Sequence, residues 1–215
     1  MPENEVALFE TLPVAITEKE AAEEIKGGDW LPRIQINDPG SDLTQQDIVK
    51  GGNFALIYSK DEAEDLTSEF DCIVMDATWK ALDLSSQDEP MSVFDKDTDE
   101  FKRIAEQSEI RDSGCMWGME FLIWISSIGK YATYFCSNKT ARRESKNINR
   151  LVGHPATLRT KYIKTKKYSW YGPKVTACST PFDIPAKDDL VKEVKKYRES
   201  MVPTEVEADE EVRDR

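Results

Sequence analysis

Aromatic rings and ammonium groups alternate along residues 157–171, which read TLRTKYIKTKKYSWY. If this segment is one extended strand, every second side chain points to the same face. Five side chains of these two kinds then share one face: Tyr162, Lys164, Lys166, Tyr168 and Trp170. Lysines can neutralise phosphates while rings stack on unpaired bases, so this face is typical of a site for a single-stranded polyanion. The structural alternative is a charged edge strand whose rings pack into the core.

The other face of the same strand would carry Arg159, Lys161 and Lys167 beside Ile163 and Tyr171. Three cations cannot all be buried, so the pattern predicts that the strand leaves the sheet at an edge or is broken by a bulge. We include these three cations in the candidate site. Six residues of neighbouring segments complete it: Lys130, Tyr131, Tyr134 and Trp124 on a predicted hairpin, and Arg142 and Arg143 on a predicted short helix.

The charge of the chain is distributed very unevenly. The whole chain has a net charge of −12, yet residues 130–174 contain twelve Lys and Arg and a single acid, Glu144, which gives this segment +11. The remaining 170 residues therefore carry −23. A polyanion would be repelled by most of the molecule and attracted by this one segment. The alternative is a solvated basic face that is balanced by acidic neighbours.

Residue types that carry catalysis or bind metals form no recognisable pattern in the sequence. The one histidine, His154, is followed by a proline, and the chain offers no triad, no paired general acid and base, and no glycine-rich phosphate loop. The four cysteines lack the spacing of zinc ligands and lie in contexts typical of reduced thiols: Cys72, Cys115, Cys136 and Cys178. We therefore expect a non-enzymatic protein with no catalytic residue, no metal and no cofactor.

Alternating apolar residues and turn signals predict a mostly β chain with peripheral helices. The predicted strands cover residues 31–36, 54–58, 70–75, 79–84, 116–125, 130–136, 157–171 and 174–178, with a turn at Gly172-Pro173 between the last two. Helices are predicted to begin near Asp97, Thr140 and Lys187. Such a set favours an OB-fold-like small antiparallel barrel, and a β-sandwich is the alternative.

Composition divides the chain into three parts. Residues 1–29 are interpreted as an N-terminal extension with a short helix, residues 30–200 as a single OB-like β domain, and residues 201–215 as a disordered acidic tail with six acids and two arginines. The acidic start of the chain does not resemble a leader peptide, and the longest apolar run, residues 121–125, is too short to span a bilayer. We expect no membrane partner and a cytoplasmic location, which for a viral protein is the host cell cytoplasm.

A β core with a basic aromatic segment, followed by a C-terminal helix and an acidic tail, is similar to the layout of phage-type OB-fold single-stranded DNA-binding proteins. The similarity covers residues 30–215 and differs at the end, since this chain finishes with Val212-Arg213-Asp214-Arg215 where that family commonly has an aromatic residue. The resemblance implies sequence-independent binding of single-stranded DNA in replication or recombination, with replication proteins contacting the tail. RNA as the ligand and a homo-oligomeric state both stay open.

Two other classes of function fit the same composition. A structural or adaptor protein, for example a virion component, would use the basic face to bind an acidic partner. An enzyme or nuclease accessory with an unrecognised site is the third interpretation.

Overall fold

The computed structural model of the chain describes residues 31–59, 62–85 and 91–201. Within these ranges the chain forms nine strands: β1 (Arg33–Ile36), β2 (Phe54–Ile57), β3 (Ala63–Asp65), β4 (Glu69–Asp83), β5 (Met91–Val93), β6 (Cys115–Ile125), β7 (Lys130–Cys136), β8 (Pro155–Lys164) and β9 (Ser169–Ala177). It also forms four helices there: α1 (Asp42–Gln45), α2 (Asp99–Gln107), α3 (Lys139–Asn149) and α4 (Lys187–Glu199). The predicted N-terminal extension and, apart from Met201, the predicted acidic tail lie outside the described residues.

All nine strands of the described ranges belong to one sheet. Its order is β3-β2-β1-β7-β6-β4-β8-β9, and β5 pairs with the far end of β4. Neighbouring strands are antiparallel except β1 and β7, which are parallel. Strands hold 41% of the described residues and helices 23%, which confirms a mostly β fold with few helices. The order is open at β3 and β9, so the expected OB-like barrel is not confirmed.

The sheet curls so strongly that strands distant in its order approach each other. A short link, residues 66–68, joins β3 to β4, and β2 bonds to it: the Phe54 amide donates to the Thr67 carbonyl (2.8 Å), and the Leu66 amide donates to the Phe54 carbonyl (2.9 Å). The Phe54 ring meets the Phe70 ring of β4 edge-on, with centroids 5.1 Å apart. The concave side of the curl encloses the main apolar core, and α3 packs into it.

The hairpin of β6 and β7 is predicted from the sequence and confirmed. The two strands pair in antiparallel register around the expected turn at residues 126–129. Alternate residues of β6 face the core, where Phe121, Ile123 and Ile125 are completely buried. Three short elements escaped prediction, namely α1, β3 and β5, because segments of three or four residues show no periodicity.

β4 is one long strand where the sequence predicts two, over 70–75 and 79–84. Its ladder with β6 shifts register only once, at an irregularity between Val74 and Asp76. The far end of this ladder is covered by α2, the helix predicted near Asp97. The side chain of Thr98 caps α2 by accepting a hydrogen bond from the backbone, so the start of this helix agrees with the sequence signal.

The convex face of the sheet is covered by α4. Its buried residues Leu190 and Tyr197 pack on apolar side chains of the two central strands: Ile73, Met75, Leu122 and Trp124. Arg198 fixes the last turn of α4 through a bidentate ion pair with Asp76, with N–O distances of 2.7 and 2.9 Å. The helix predicted near Lys187 thus closes the outer side of the sheet. Throughout the described ranges, every helix is too short or too polar to cross a membrane.

Candidate nucleic-acid interface

The basic aromatic segment forms a hairpin and not a single strand. β8 ends at Lys164, and β9 starts at Ser169 and runs straight through Gly172-Pro173, so the predicted strand over 157–171 and the predicted turn at Gly172-Pro173 are both wrong. Thr165 closes the turn that the structure forms instead. Its backbone amide donates to the Tyr168 carbonyl (2.8 Å), and its side-chain hydroxyl accepts from the Tyr168 amide (3.0 Å).

The distal part of this hairpin projects beyond the sheet. Pairing between β4 and β8 stops at Glu69 and Arg159, and one further backbone bond joins the Thr160 amide to the Ser68 carbonyl. We call residues 160–173, which continue as two strands and a turn, the ribbon. Because an isolated two-stranded hairpin is only marginally stable in water, the ribbon requires other contacts to hold its shape.

The hairpin register redistributes the side chains that the sequence places on one face. Tyr162 pairs with Tyr171, and Ile163 pairs with Trp170. Residues directly opposite each other share a face, so Tyr162 and its alternate neighbour Lys164 lie on the side of Tyr171, and Trp170 lies on the opposite side. Lys166 and Lys167 occupy the turn between the strands. The predicted five-residue face is therefore split, with Tyr171 in place of Trp170.

Two tyrosine rings of the ribbon are open to solvent. Tyr168 is 73% exposed and Tyr162 is 52% exposed. The Tyr162 ring rests on the Tyr171 ring, with centroids 5.2 Å apart. Tyr171 in turn lies on Gly52, where φ is +87° and an added Cβ would sit 2.5 Å from the Tyr171 Cζ. Tyr162 is therefore supported from behind and presents its free side for stacking.

Trp170 joins the ribbon to α3. Its ring is partly buried, and the indole Nε1–H donates to Thr140 Oγ1 at 3.1 Å. Next to it, an added Cβ at Gly172 would lie 2.6 Å from the Thr140 Cγ2 and 3.1 Å from the Ile163 Cδ1. Gly172 thus permits close approach of β9 to α3, which explains a glycine inside a strand. Trp170 holds the ribbon in place more than it offers a ring to a ligand.

The lysines of this hairpin are exposed and carry no neutralising partner within the described residues. They are Lys161, Lys164, Lys166, Lys167 and, at the base of the ribbon, Lys174. Arg159 differs from them, because its guanidinium pairs with the Glu69 carboxylate at 2.7 and 2.8 Å. No acid occurs in the sequence between residues 155 and 182. Positive charge on the ribbon is therefore available to an external anion.

A second group of cations lines the outer face of α3. Lys139, Arg143, Lys146 and Arg150 follow each other at spacings of four, three and four residues, and all are exposed. This stripe, which we call the ridge, lies opposite the buried stripe of Ala141, Ser145 and Ile148. Like charges at this spacing repel, and cations in the first turn oppose the helix dipole. Lys146 in the last turn favours the dipole, so the main cost in the free protein is the mutual repulsion of the four cations, which a bound polyanion would reduce.

Arg142, predicted to bind phosphate, makes several contacts inside the protein. Its guanidinium donates to the carbonyl groups of Ser137 (2.8 Å) and Trp117 (3.3 Å) and lies 4.5 Å from the Trp117 ring. Glu109 is 3.7 Å away. These contacts tie α3 to the start of β6. The structure therefore places Arg142 in a supporting role, whereas Arg143 points outward on the ridge.

Lys130 is the first residue of β7, and its side-chain partners are Tyr58 and Glu64. Its ammonium donates to the Tyr58 hydroxyl and lies 3.5 Å from the Glu64 carboxylate. The hydrogen bond with Tyr58, supported by the negative charge of Glu64, raises the pKa of Lys130. The structure does not bring this lysine to the ribbon or the ridge, and its charge already has a partner.

Of the three predicted aromatic residues on β6 and β7, two are buried and one is half-buried, which leaves little ring surface for stacking and corrects the sequence interpretation. Tyr134 is buried in the core beside Phe54, and Trp124 is buried under α4 and stacked on Phe182 with centroids 6.0 Å apart. Tyr131 is half-buried against the same helix, and burial raises its pKa. All three rings are used for packing because both faces of these central strands are covered.

The cysteines and the acidic groups of the described ranges give no sign of a second site. All four cysteines are free thiols, and burial raises the pKa of Cys72 and of Cys136 far above the ordinary range. Within the described ranges, no cluster of three or more His, Cys, Asp and Glu side chains has metal-binding geometry.

The candidate interface is thus narrower than the sequence indicates, and it has members that the sequence analysis missed. Tyr171 and Gly52 support Tyr162, and Lys139 and Lys174 add charge. The helical spacing of the ridge cations is the one signal that would have pointed to Lys139. Comparison of the chain with protein-family models, curated proteins and solved structures gives no match.

Proposed function

We propose that this protein binds single-stranded nucleic acid, without sequence preference, through the ribbon and the ridge. The observation that carries the proposal is the combination on the ribbon of exposed rings, Tyr162 and Tyr168, with lysines that have no acidic partner in the described structure. Lysines follow the phosphate backbone, and each ring that stacks on a base contributes about 1–3 kcal/mol.

The rings favour a single strand over a duplex. Stacking on Tyr162 or Tyr168 requires a base whose face is free, and the bases of a duplex are already stacked on each other. The ribbon's exposed side chains are mainly lysines and tyrosines, which contact phosphates and the ring faces common to all bases. This composition supports binding that is independent of sequence.

The charge of the rest of the chain restricts the direction of approach. With +11 in residues 130–174 and −23 elsewhere, long-range forces favour an encounter at the basic segment and oppose one at other surfaces. The strong curl of the sheet, with β2 beside the start of β4, supports an OB-like architecture as part of the same proposal. DNA replication or recombination is the setting that the resemblance to phage-type proteins implies.

Equilibrium binding tests the proposal. A fluorescent oligonucleotide, as a single strand and as a duplex of the same sequence, is titrated with protein over a series of salt concentrations. We expect tighter binding of the single strand and a log–log salt slope of about −0.7 for each phosphate contacted. Equal affinity for the duplex, or no binding at low salt, would contradict the proposal.

The adaptor interpretation makes a different prediction in the same assay. Heparin and polyglutamate carry dense negative charge but have no bases. If they compete for the protein as well as an oligonucleotide of equal charge does, the tyrosines contribute nothing, and an acidic protein partner becomes the better account. Weak competition by both polymers supports recognition of bases.

A further inference from the structure

Glu144 is the one acid between residues 121 and 182, and it stands within the most basic part of the chain. It lies on α3 directly after the ridge residue Arg143. A carboxylate at this point repels phosphates and by itself weakens binding, so a compensating structural role is expected. The hydrogen bonds of its two carboxylate oxygens indicate that role.

Both carboxylate oxygens of Glu144 are hydrogen-bonded. Oε1 accepts from the backbone amide of Val175 on β9 at 2.9 Å, and Oε2 accepts from Asn147 Nδ2 at 3.0 Å. The second bond orients the carboxylate from within the helix. The first bond joins the helix to β9, the last strand of the sheet, whose outer backbone groups have no neighbouring strand in the described structure.

We propose that Glu144 is a positioning residue that holds β9 against α3, so that the ribbon is fixed beside the ridge and one nucleic-acid strand can contact both. This inference rests on the proposed function and deepens it, because it makes the relative placement of two elements part of the binding site. It also gives a physical reason for the acid: a hydrogen bond from an amide to a charged acceptor is stronger than one to a neutral acceptor.

The ribbon depends on this attachment because the sheet does not support it. Beyond Thr160 the hairpin has lost its partner β4, and it is contacted there by α3 and by the segment around Gly52. Trp170 and Gly172 meet Thr140, one helical turn before Glu144. Thr140 and Glu144, one turn apart on α3, therefore contact β9 at two points along the strand.

Two positions on the outer edge of β9 cannot donate a hydrogen bond to another strand. The Val175 amide is bonded to Glu144, and residue 173 is a proline, which has no amide hydrogen to donate. These features discourage the pairing of another strand here. The side chains of the ribbon, rather than its backbone edge, are thus left to make contacts.

Charge and positioning predict opposite effects when Glu144 is replaced, and two variants separate them. Glu144→Gln removes the negative charge but keeps an oxygen that can accept from the Val175 amide. Glu144→Ala removes the charge and the acceptor together. If the acid acts only by repelling phosphates, both variants tighten single-strand binding equally.

We expect the two variants to differ. Glu144→Gln should bind a single-stranded oligonucleotide at least as tightly as the unchanged protein, with the same salt slope. Glu144→Ala should bind about tenfold more weakly than Glu144→Gln, since a lost bond of this kind is worth roughly one such factor. Its salt slope should also be shallower, because the ribbon and the ridge no longer engage one strand together. Equal tightening in both variants would overturn the inference.

Amide hydrogen exchange gives a readout that does not depend on nucleic acid. In Glu144→Ala, the Val175 amide and residues 160–173 should exchange faster, whereas in Glu144→Gln, whose neutral oxygen still accepts a weaker bond, the increase should be clearly smaller. Unchanged exchange in Glu144→Ala would refute the positioning role even if the protein bound no nucleic acid. Conversely, faster exchange in Glu144→Ala, together with no single-strand binding by the unchanged protein, would refute the proposed function but not the positioning role.

A second pair of variants covers the case in which Glu144→Ala does not fold. Thr140→Val keeps the methyl group that packs on Gly172 but removes the hydroxyl that accepts from Trp170, while Thr140→Ser keeps that hydroxyl. We expect faster exchange of the ribbon amides and weaker single-strand binding in Thr140→Val, and recovery of both in Thr140→Ser. Identical behaviour of the two variants would contradict a positioned ribbon.

Discussion

Two hairpins of this protein mix aromatic and basic residues, and the structure uses them in opposite ways. In the hairpin of β6 and β7, Trp124 and Tyr134 are buried and Lys130 has an acidic partner. In the hairpin of β8 and β9, Tyr162 and Tyr168 are exposed, and the neighbouring lysines have no acidic partner within the described residues. Residue types alone do not distinguish these two regions.

The position of each hairpin in the sheet makes the difference. β6 and β7 are central strands, with the curled core and α3 on one face and α4 on the other. β8 and β9 are the last two strands, and their distal halves extend past the end of β4. A ring on a strand covered on both sides becomes part of the core, whereas a ring on a projecting ribbon meets solvent.

The largest effect that separates the two hairpins is on stability. Trp124→Ala removes a ring packed between α4 and Phe182, and we expect it to lower the free energy of unfolding by about 3–5 kcal/mol. Tyr168→Ala, the matched control on the ribbon, should change it by less than about 0.5 kcal/mol. Urea denaturation measures both. A comparable loss in the two variants would mean that Tyr168 is packed in solution.

The next largest effect is on single-strand binding, for which the rings of the β8–β9 hairpin matter and those of the β6–β7 hairpin do not. Tyr162→Ala and Tyr168→Ala should each weaken single-strand binding by about 1–3 kcal/mol, with little change in the salt slope, because a stacking ring releases no counterions. Fluorescence anisotropy with an oligonucleotide checks this. If neither substitution alters affinity, the exposed rings have no part in the interface.

A smaller effect distinguishes the lysines of the two hairpins. Replacing both Lys166 and Lys167 by Gln should make the log–log salt slope shallower by about 0.7 for each phosphate contact that is lost. Lys130→Gln is the control, and it should leave the slope unchanged because the charge of Lys130 is paired with Glu64. A shallower slope in the control would show that the interface extends to β7.

The smallest effect concerns residues 203–215, which lie outside the described residues. This segment carries six acids and two arginines, so an attached negative chain can compete with nucleic acid for the ribbon and the ridge. Its deletion should tighten single-strand binding several-fold at low salt, and the gain should fade as added salt screens the charges. An unchanged affinity at low salt would indicate that the tail acts elsewhere.

Local signals were enough to predict much of the fold. The turn at residues 126–129, the helix start near Asp97 and the amphipathic helix near Lys187 all depend on residues close in sequence, and the structure confirms them. The order of the strands depends on pairing between distant segments. For that reason the sequence placed the rings of β6 and β7 at the interface and could not show that α4 covers them.

The error in the basic segment has a specific cause. Residues 165–168 read Thr-Lys-Lys-Tyr and contain none of the glycine, proline or asparagine that usually marks a turn, while Gly172-Pro173 is a strong turn signal. In the structure Gly172 makes room for Thr140, and Pro173 lies on an edge strand. Tertiary contacts therefore account for the residues that the local pattern misassigned.

Chemical footprinting of lysines tests the central claim most directly, because it compares the two hairpins within one molecule. Acetylation of each lysine is measured by mass spectrometry with and without a saturating single-stranded oligonucleotide. We predict strong protection of the ribbon and ridge lysines, Lys161, Lys164, Lys166, Lys167, Lys139 and Lys146, and unchanged acetylation of Lys130 and of Lys192 on α4. Protection of Lys130 and Lys192 without protection of the ribbon would contradict the account.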